Sequence, residues 1–446
     1  MNVIFPKHLL SRDMFQAVVP FLDTENIILL SGARQTGKTS LLYLLIQHLL
    51  SKGVSPAQIV YFDLENIHDF SMLNGLNDFN DFLQVLEGQG ADCGKRVFVF
   101  VDEIQHLSRP SSFLKYLHDH YKPALKFIVT GSSSLEIKKK FTDRLTGRIY
   151  RFVVSPLSFR EFLAFKNEKN LVEALEGFRF LFRSEPASLK KAFATIRPAQ
   201  TRRLFDLVNE YLTFGGYPGV TLQMATKIRQ RDLQEIYSLY VRRDIKDLGN
   251  ITDVAGYNRL VSLLSLQIGN LVKEQELSVS SGLSRPTVKK YLFLLENTYI
   301  LTLVFPFFTN KRVEMVKTPK VYFEDIGLRN AVSNNFHPLN QRPDNGAMLE
   351  NFVFSELSRQ GEGSRQIRFW RSQAKSEVDF VWQEDAQDIC PIEVKLSHRR
   401  GQPVPSGLRS FVDRYHPSRA FIVHLGEFHH FRFKETDVCA MPAWAV

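Results

Sequence analysis

The sequence is poor in cysteine. Its 446 residues include three, Cys93, Cys390 and Cys439, and no two share a CxxC spacing. A disulfide framework and a zinc ribbon are thereby excluded, and a reduced, cytoplasmic setting is expected. Long apolar runs are also missing. None approaches the ~18 residues of a membrane span. The longest, such as Val97 to Val101, are strand-sized. The N-terminus, Met1 to His8, lacks the basic start, apolar run and small-residue cleavage site of a signal peptide. No membrane partner is expected. Charge, by contrast, is plentiful: 57 Lys and Arg against 47 Asp and Glu, a net +10. With 44% apolar and 23% charged residues the chain reads as globular rather than disordered. Its positive excess favours a polyanionic partner. At about 150 residues per domain, the length implies about three domains, or two with insertions.

The strongest signal lies near the start. Asn26 to Ser31 reads as a buried strand, and Ser40 to Leu50 as an apolar helix. Between them stands Gly32-Ala33-Arg34-Gln35-Thr36-Gly37-Lys38-Thr39, a GxxxxGK[ST] loop in its strand–loop–helix setting. Glycines let backbone amides turn around phosphates, and the helix start, from Ser40 on, adds its dipole. Lys38 supplies charge to the β and γ phosphates, and the Thr39 hydroxyl can hold magnesium. ATP with magnesium is the expected cofactor.

A second motif supports the first. Val97 to Val101 is all apolar, as a doubly covered parallel strand should be, and ends in Asp102-Glu103. Asp102 is placed to bind magnesium through water, and Glu103 to polarise the attacking water. An acidic pair here could also be a helix N-cap. Further strands are expected at Ile59 to Phe62, Lys126 to Val129 and Tyr150 to Val154, giving a doubly wound sheet with ligands at its carboxyl edge. Thr130 and Ser132 reach that edge, where a polar side chain could sense the γ-phosphate. Arg144 and Arg148 are candidate arginine fingers. A solvated surface arginine is the plainer reading of each.

Residues 166–250 read as helical, broken at Phe214-Gly215-Gly216-Tyr217-Pro218-Gly219. Then Gln275 to Ser281, the turn Gly282-Leu283, and a helix opened by Ser284 form a helix-turn-helix pattern. Val288, Leu292 and Leu295 share one face of the second helix. Arg285, Lys289 and Lys290 are left outside, as contacts to nucleic acid would need. Extended segments at Leu301 to Phe308 and Val321 to Phe323 suit a wing. A packing or partner module is the alternative.

The last part holds a hairpin. Glu377 to Trp382 alternates polar and apolar, and Ile389 to Lys395 is a second strand. A turn centred near Ala386 sets Asp379 opposite Glu393 and Glu377 opposite Lys395, all on one face. Two facing acids suggest a cation between them. Magnesium held by Asp379 and Glu393, with Glu350 as a third ligand, would activate water while Lys395 orients it or steadies a phosphate. An exposed, salt-bridged strand face is the alternative.

Together these stretches resemble a family of bacterial and archaeal P-loop ATPases that join an AAA+ module to a winged helix and a C-terminal restriction-endonuclease-like domain of unknown function. The matching residues also include Thr130-Gly131-Ser132-Ser133, Gly147-Arg148, Gly215-Gly216-Tyr217-Pro218, Arg243-Asp244 and Lys320-Val321-Tyr322-Phe323. The resemblance implies an α/β fold: an ASCE/AAA+ parallel sheet at 1–165, a helical region at 166–250, a winged helix at 251–325 and a PD-(D/E)XK-like domain at 326–446. It implies ATP binding and slow hydrolysis, and maps the nuclease acids and lysine onto Asp379, Glu393 and Lys395. The expected function is an ATPase whose nucleotide state controls a DNA-binding, nuclease-like module. The alternative is a nucleotide-gated scaffold that binds protein or DNA without cutting. A homo-oligomer is compatible with either. No second sensor arginine in a helical lid is recognisable.

Overall fold

A computed structural model describes the chain apart from residues 1–4, 7–8, 133–144, 179–181, 183, 243–250, 252, 309–316, 361–366 and 384–388. Arg144, Ser133 and the Arg243-Asp244 pair lie outside the described residues. The chain divides into two compact units. The first holds Met1–Ser155, Arg242–Asn250 and Asn297–Tyr299, and the second holds the rest.

The first unit is built on five parallel strands: β1 Ile27–Ser31, β2 Ile59–Asp63, β3 Val97–Asp102, β4 Leu125–Gly131 and β5 Ile149–Val153. Their order is β2-β3-β4-β1-β5, with every neighbour parallel. Alternation along each strand splits the core into two layers. Ile27, Leu29, Val97, Val99, Val101, Phe127 and Val129 face one side, where the helix Pro110–Tyr121 delivers Phe113, Leu114 and Leu117. Ile28, Leu30, Phe98, Phe100 and Ile128 face the other, packed on Leu41, Leu42, Leu45, Ile46 and Leu49 of the helix Lys38–Ser51. Burial on both faces is why β1 and β3 read as nearly unbroken apolar runs.

The second unit begins with helices. The helix Pro198–Phe214 stops at Gly215, whose φ of 71° places it in the left-handed region. A side chain there would collide with the Asp325 carboxylate, which accepts from the Gly216 amide at 2.7 Å. The glycine pair thus makes room for a buried cap. The helices Glu274–Ser281 and Arg285–Asn297 follow, with Gly282 (φ 71°) between them. Val288, Leu292 and Leu295 are buried on one face of the second helix. Strands β6 Leu301–Val304 and β7 Lys320–Phe323 pair antiparallel beyond it.

The C-terminal sheet has six strands: β8 Ile367–Arg371, β9 Glu377–Gln383, β10 Ile389–Val394, β11 Arg419–His424, β12 His429–Phe433 and β13 Thr436–Pro442. Their order is β12-β13-β11-β10-β9-β8. β9 and β10 pair antiparallel with Phe380 opposite Ile392, the register of a hairpin centred on residue 386. β10 and β11 are parallel, joined through the helix Ser406–Tyr415. That helix lies so close to β9 that a side chain on Gly407 would strike the Glu377 carbonyl.

Candidate functional site

Between β1 and its helix, residues 32–37 form a loop. Gly32 packs on β5's end: a Cβ would sit 2.2 Å from the Val154 carbonyl oxygen. Gly37, at φ 91°, turns the chain into the helix. Ala33 is buried, Arg34 half-buried, and Gln35 and Ser40 are exposed. The Thr36 hydroxyl donates to the Ala33 carbonyl at 2.9 Å. The loop is also clamped from outside: buried Arg12 donates to the Thr36 carbonyl at 2.7 Å and to the Ser155 carbonyl at 2.9 Å. Lys38 is buried, its Nζ donating to the carbonyls of Gly32 (3.2 Å) and Ala33 (2.9 Å).

At the carboxyl end of β3 the Thr39 hydroxyl donates to Asp102 at 2.6 Å, and Tyr61 reaches the same oxygen at 3.3 Å. The other Asp102 oxygen accepts from Thr130. Burial raises the Asp102 pKa against the pull of Thr130 and Thr39. Thr130 therefore anchors Asp102 in this structure. Glu103 stands in a left-handed conformation (φ 54°), its amide donating to the Thr130 hydroxyl at 2.8 Å. Its carboxylate accepts from Gln105 and, at 3.3 Å, from the Ser132 amide. Burial pushes Glu103 up, but the Lys38 charge and the bonds from Gln105 and Ser132 outweigh it, holding the pKa below the ordinary carboxylate value. An ionised base beside a buried ammonium suits water activation.

The residues fit a nucleotide with magnesium. Lys38 and Asp102 are gathered at one sheet edge, and the loop leaves no room for a Cβ at Gly32. Arg148 is tied elsewhere: its Nε and Nη2 donate to Asp119 at 2.6 and 3.1 Å. Sequence reasoning missed Arg12, Tyr61 and Gln105. Asp102-Glu103-Ile104-Gln105 was legible as a motif, but the bond from Gln105 to Glu103 was not.

Residues 24–163 match the model of the AAA domain. The N-terminal part of this chain is a P-loop ATPase domain. Residues 205–339 and 345–444 match two domains of unknown function (DUF8612 and DUF4143). An uncharacterized protein of Haemophilus influenzae is 25% identical over 416 residues, 92% of each chain. One of Methanocaldococcus jannaschii is 26% identical over 398 residues, covering 87% of this chain and 78% of that one. Among solved structures, the Aeropyrum pernix ORC2 protein is 10% identical, with a TM-score of 0.38, over 75% of this chain and 95% of that one.

Beyond the ATPase domain, the acids of the C-terminal hairpin surround an unforeseen lysine. Lys320 opens β7 and is 2% exposed. Its Nζ lies 2.6 Å from Glu377, 3.1 Å from Glu350 and 3.8 Å from Asp379. Tyr322 donates to the same Glu350 oxygen at 2.5 Å. Burial works against the Lys320 charge, but Glu350, Asp379 and Glu377 outweigh it and hold the pKa above the ordinary lysine value. The second oxygen of Asp379 accepts from the Val394 amide at 2.8 Å. Glu393 pairs with Lys395 at 2.6 Å through one oxygen, while the other is buried without a partner. Burial, then Asp379, push Glu393 above the ordinary carboxylate range. Glu350, Asp379 and Lys395 line a cavity of about 400 Å³.

The β9–β10 register is the expected one, but the side chains of Glu377 and Lys395 pair elsewhere: Glu377 is held by Lys320 and by Arg371 at 3.1 Å, and Lys395 turns to Glu393 on its own strand. The expected metal set of Glu350, Asp379 and Glu393 is not arranged as one. Among the described residues no group of three or more His, Cys, Asp or Glu is placed to hold a metal ion. The ammonium of Lys320 supplies the positive charge instead.

The three basic residues of the helix Arg285–Asn297 are exposed. Glu274 of the preceding helix holds two of them, Arg285 at 2.9 Å and Lys289 at 3.6 Å. Lys290 makes no ion pair among the described residues.

Proposed function

We propose that the chain is a nucleotide-operated switch whose second unit binds a macromolecule without cutting it. The ATPase domain binds ATP through Lys38, Thr39 and the 32–37 backbone, and Asp102 holds magnesium with Thr39. Bound Mg-ATP supplies the cleavable γ-phosphate and a divalent charge. Glu103 takes the role of base toward water, with Gln105 and the Ser132 amide fixing its carboxylate. Arg148 would serve as a finger only after leaving Asp119.

One observation carries the non-cutting reading: the buried Lys320 ammonium among Glu350, Glu377 and Asp379. A cation already neutralises the carboxylates that phosphodiester hydrolysis would need for a metal. Duplex DNA at Arg285, Lys289 and Lys290 is the preferred partner, in keeping with the net charge of +10. A second reading, a protein partner, is favoured by Glu274, which already neutralises two of those three residues.

The test is a paired ATPase and nuclease assay on plasmid and single-stranded DNA, with and without magnesium and ATP. Turnover of ATP with intact DNA is expected. Magnesium-dependent cutting lost in Lys395→Ala would restore the nuclease reading.

A further inference from the structure

A second cavity, of about 690 Å³, lies within the second unit between the helices Pro186–Thr195 and Pro198–Phe214 on one side and the chain around β12 and the C-terminus on the other. It is far from the acids of the hairpin in lining and in chemistry. Its volume is that of a small-molecule site.

The lining is aromatic. Phe193 and Phe428 stack with centroids 4.3 Å apart and planes 14° apart. Trp444 meets Phe193 edge-on at 5.7 Å and Phe205 at 6.5 Å. Such rings offer faces and edges to a flat ligand. Trp444 is 3% exposed, yet its indole Nε1–H has no acceptor. That nitrogen is itself closed to solvent, so Trp444 serves the cavity as a packed ring behind Phe193 and Phe205.

The rim is charged. Lys190, Arg202 and Arg400 line the cavity, and no hydrogen bond or ion pair engages their side chains among the described residues. Asp206 and Glu427 line it too. Three cations against two carboxylates leave an excess of one positive charge. That excess suits one negative charge and disfavours a polyphosphate, so the site differs in kind from the P-loop.

We propose that this cavity binds a flat aromatic molecule bearing a single anionic group, its ring against the Phe193 and Phe205 surfaces beside Trp444 and its anion toward Lys190, Arg202 and Arg400. Two sources share that chemistry: an aromatic carboxylate and a cyclic nucleoside monophosphate. Neither carries the β and γ phosphates that Lys38 would grip.

The test uses the full-length chain labelled with ¹⁵N at tryptophan. Its three indoles, of Trp370, Trp382 and Trp444, give three N–H signals. Trp444→Phe assigns the relevant one. If that variant fails to fold, Trp370→Phe and Trp382→Phe assign it by elimination. The probes are 2-naphthoate and cyclic AMP. Either should shift the Trp444 signal saturably and spare the other two. Arg202→Glu, at an exposed position, should weaken the effective probe about tenfold or more through loss of a charge-assisted contact, with ATP turnover unchanged. A response to naphthoate alone identifies an aromatic acid as the source, and to cyclic AMP alone a nucleotide. An unmoved Trp444 signal with both probes, or equal affinity in Arg202→Glu, overturns the proposal.

Discussion

The Nζ of Lys320 lies 3.1 Å from Oε1 of Glu350, joining β7 to the helix Asn345–Gln360. Glu350, Glu377 and Asp379 converge on that one ammonium. Lys320 offsets part of their mutual repulsion from within the chain.

Removing the ammonium should undo that offset. Lys320→Met keeps the aliphatic length but takes the ammonium from Glu350 and Asp379 and leaves Glu377 with Arg371 alone. Breaking a buried ion pair from one side costs about 3–5 kcal/mol. The variant should melt earlier than the parent in metal-free buffer, and manganese should restore much of the loss. Electron paramagnetic resonance of free manganese would show binding in the variant and none at this cluster in the parent. A variant that melts like the parent and ignores manganese would show that Lys320 is not the balancing charge.

Within the ATPase domain, binding and turnover should separate. Lys38→Ala removes the buried ammonium, and affinity for a fluorescent ATP analogue should collapse. Glu103→Gln preserves the shape and the contact with the Ser132 amide but not the base. It should bind the analogue normally and lose turnover by about 10²–10⁴-fold, the usual share of a general base. Normal binding by Lys38→Ala would displace the site from the 32–39 loop.

The parallel sheet was legible because its central strands are buried on both faces and mainly apolar, as at Val97 to Val101; the edge strand β5, half-exposed and carrying Arg151, shows the pattern least. The β9–β10 register was legible too, since alternation about a short turn admits one centre. What escaped were contacts set by tertiary approach. Lys320 is 30 residues from Glu350 and further still from Glu377, so no local period links them. Arg12 and Thr36 are joined across 24 residues by a side chain grasping a carbonyl, and a carbonyl carries no residue signature. Arg148 looked exposed and unattached until the fold brought Asp119 beside it.

Glu274 neutralises two of the three basic side chains of the helix Arg285–Asn297 that are proposed to meet DNA. Glu274→Ala should release Arg285 and Lys289 and strengthen binding to duplex DNA of any sequence. Lys289→Glu with Lys290→Glu should weaken it equally broadly. Each phosphate contact contributes a slope of about −0.9 in log K against log salt. The slope, measured by fluorescence anisotropy between low and moderate salt, should steepen in Glu274→Ala. Salt-independent binding, or no binding at low salt, would favour a protein partner for this face.

The partnerless oxygen of Glu393 gives a pH signature. Burial, then the neighbouring Asp379, push its pKa up to about 8, against the opposing pull of Lys395. In the unfolded chain the group has an ordinary value near 4.5. The folded state thus binds the proton more tightly. Its contribution to stability is fully present below the unfolded value and is lost as pH rises toward the folded one. Glu393→Gln carries a permanent neutral group of the same shape and removes that dependence. Relative to the parent, its melting temperature should improve steadily from pH 5 to pH 8.5. A difference in melting temperature that stays constant over this range would mean that Glu393 is ionised in the folded protein, held so by Lys395 at 2.6 Å.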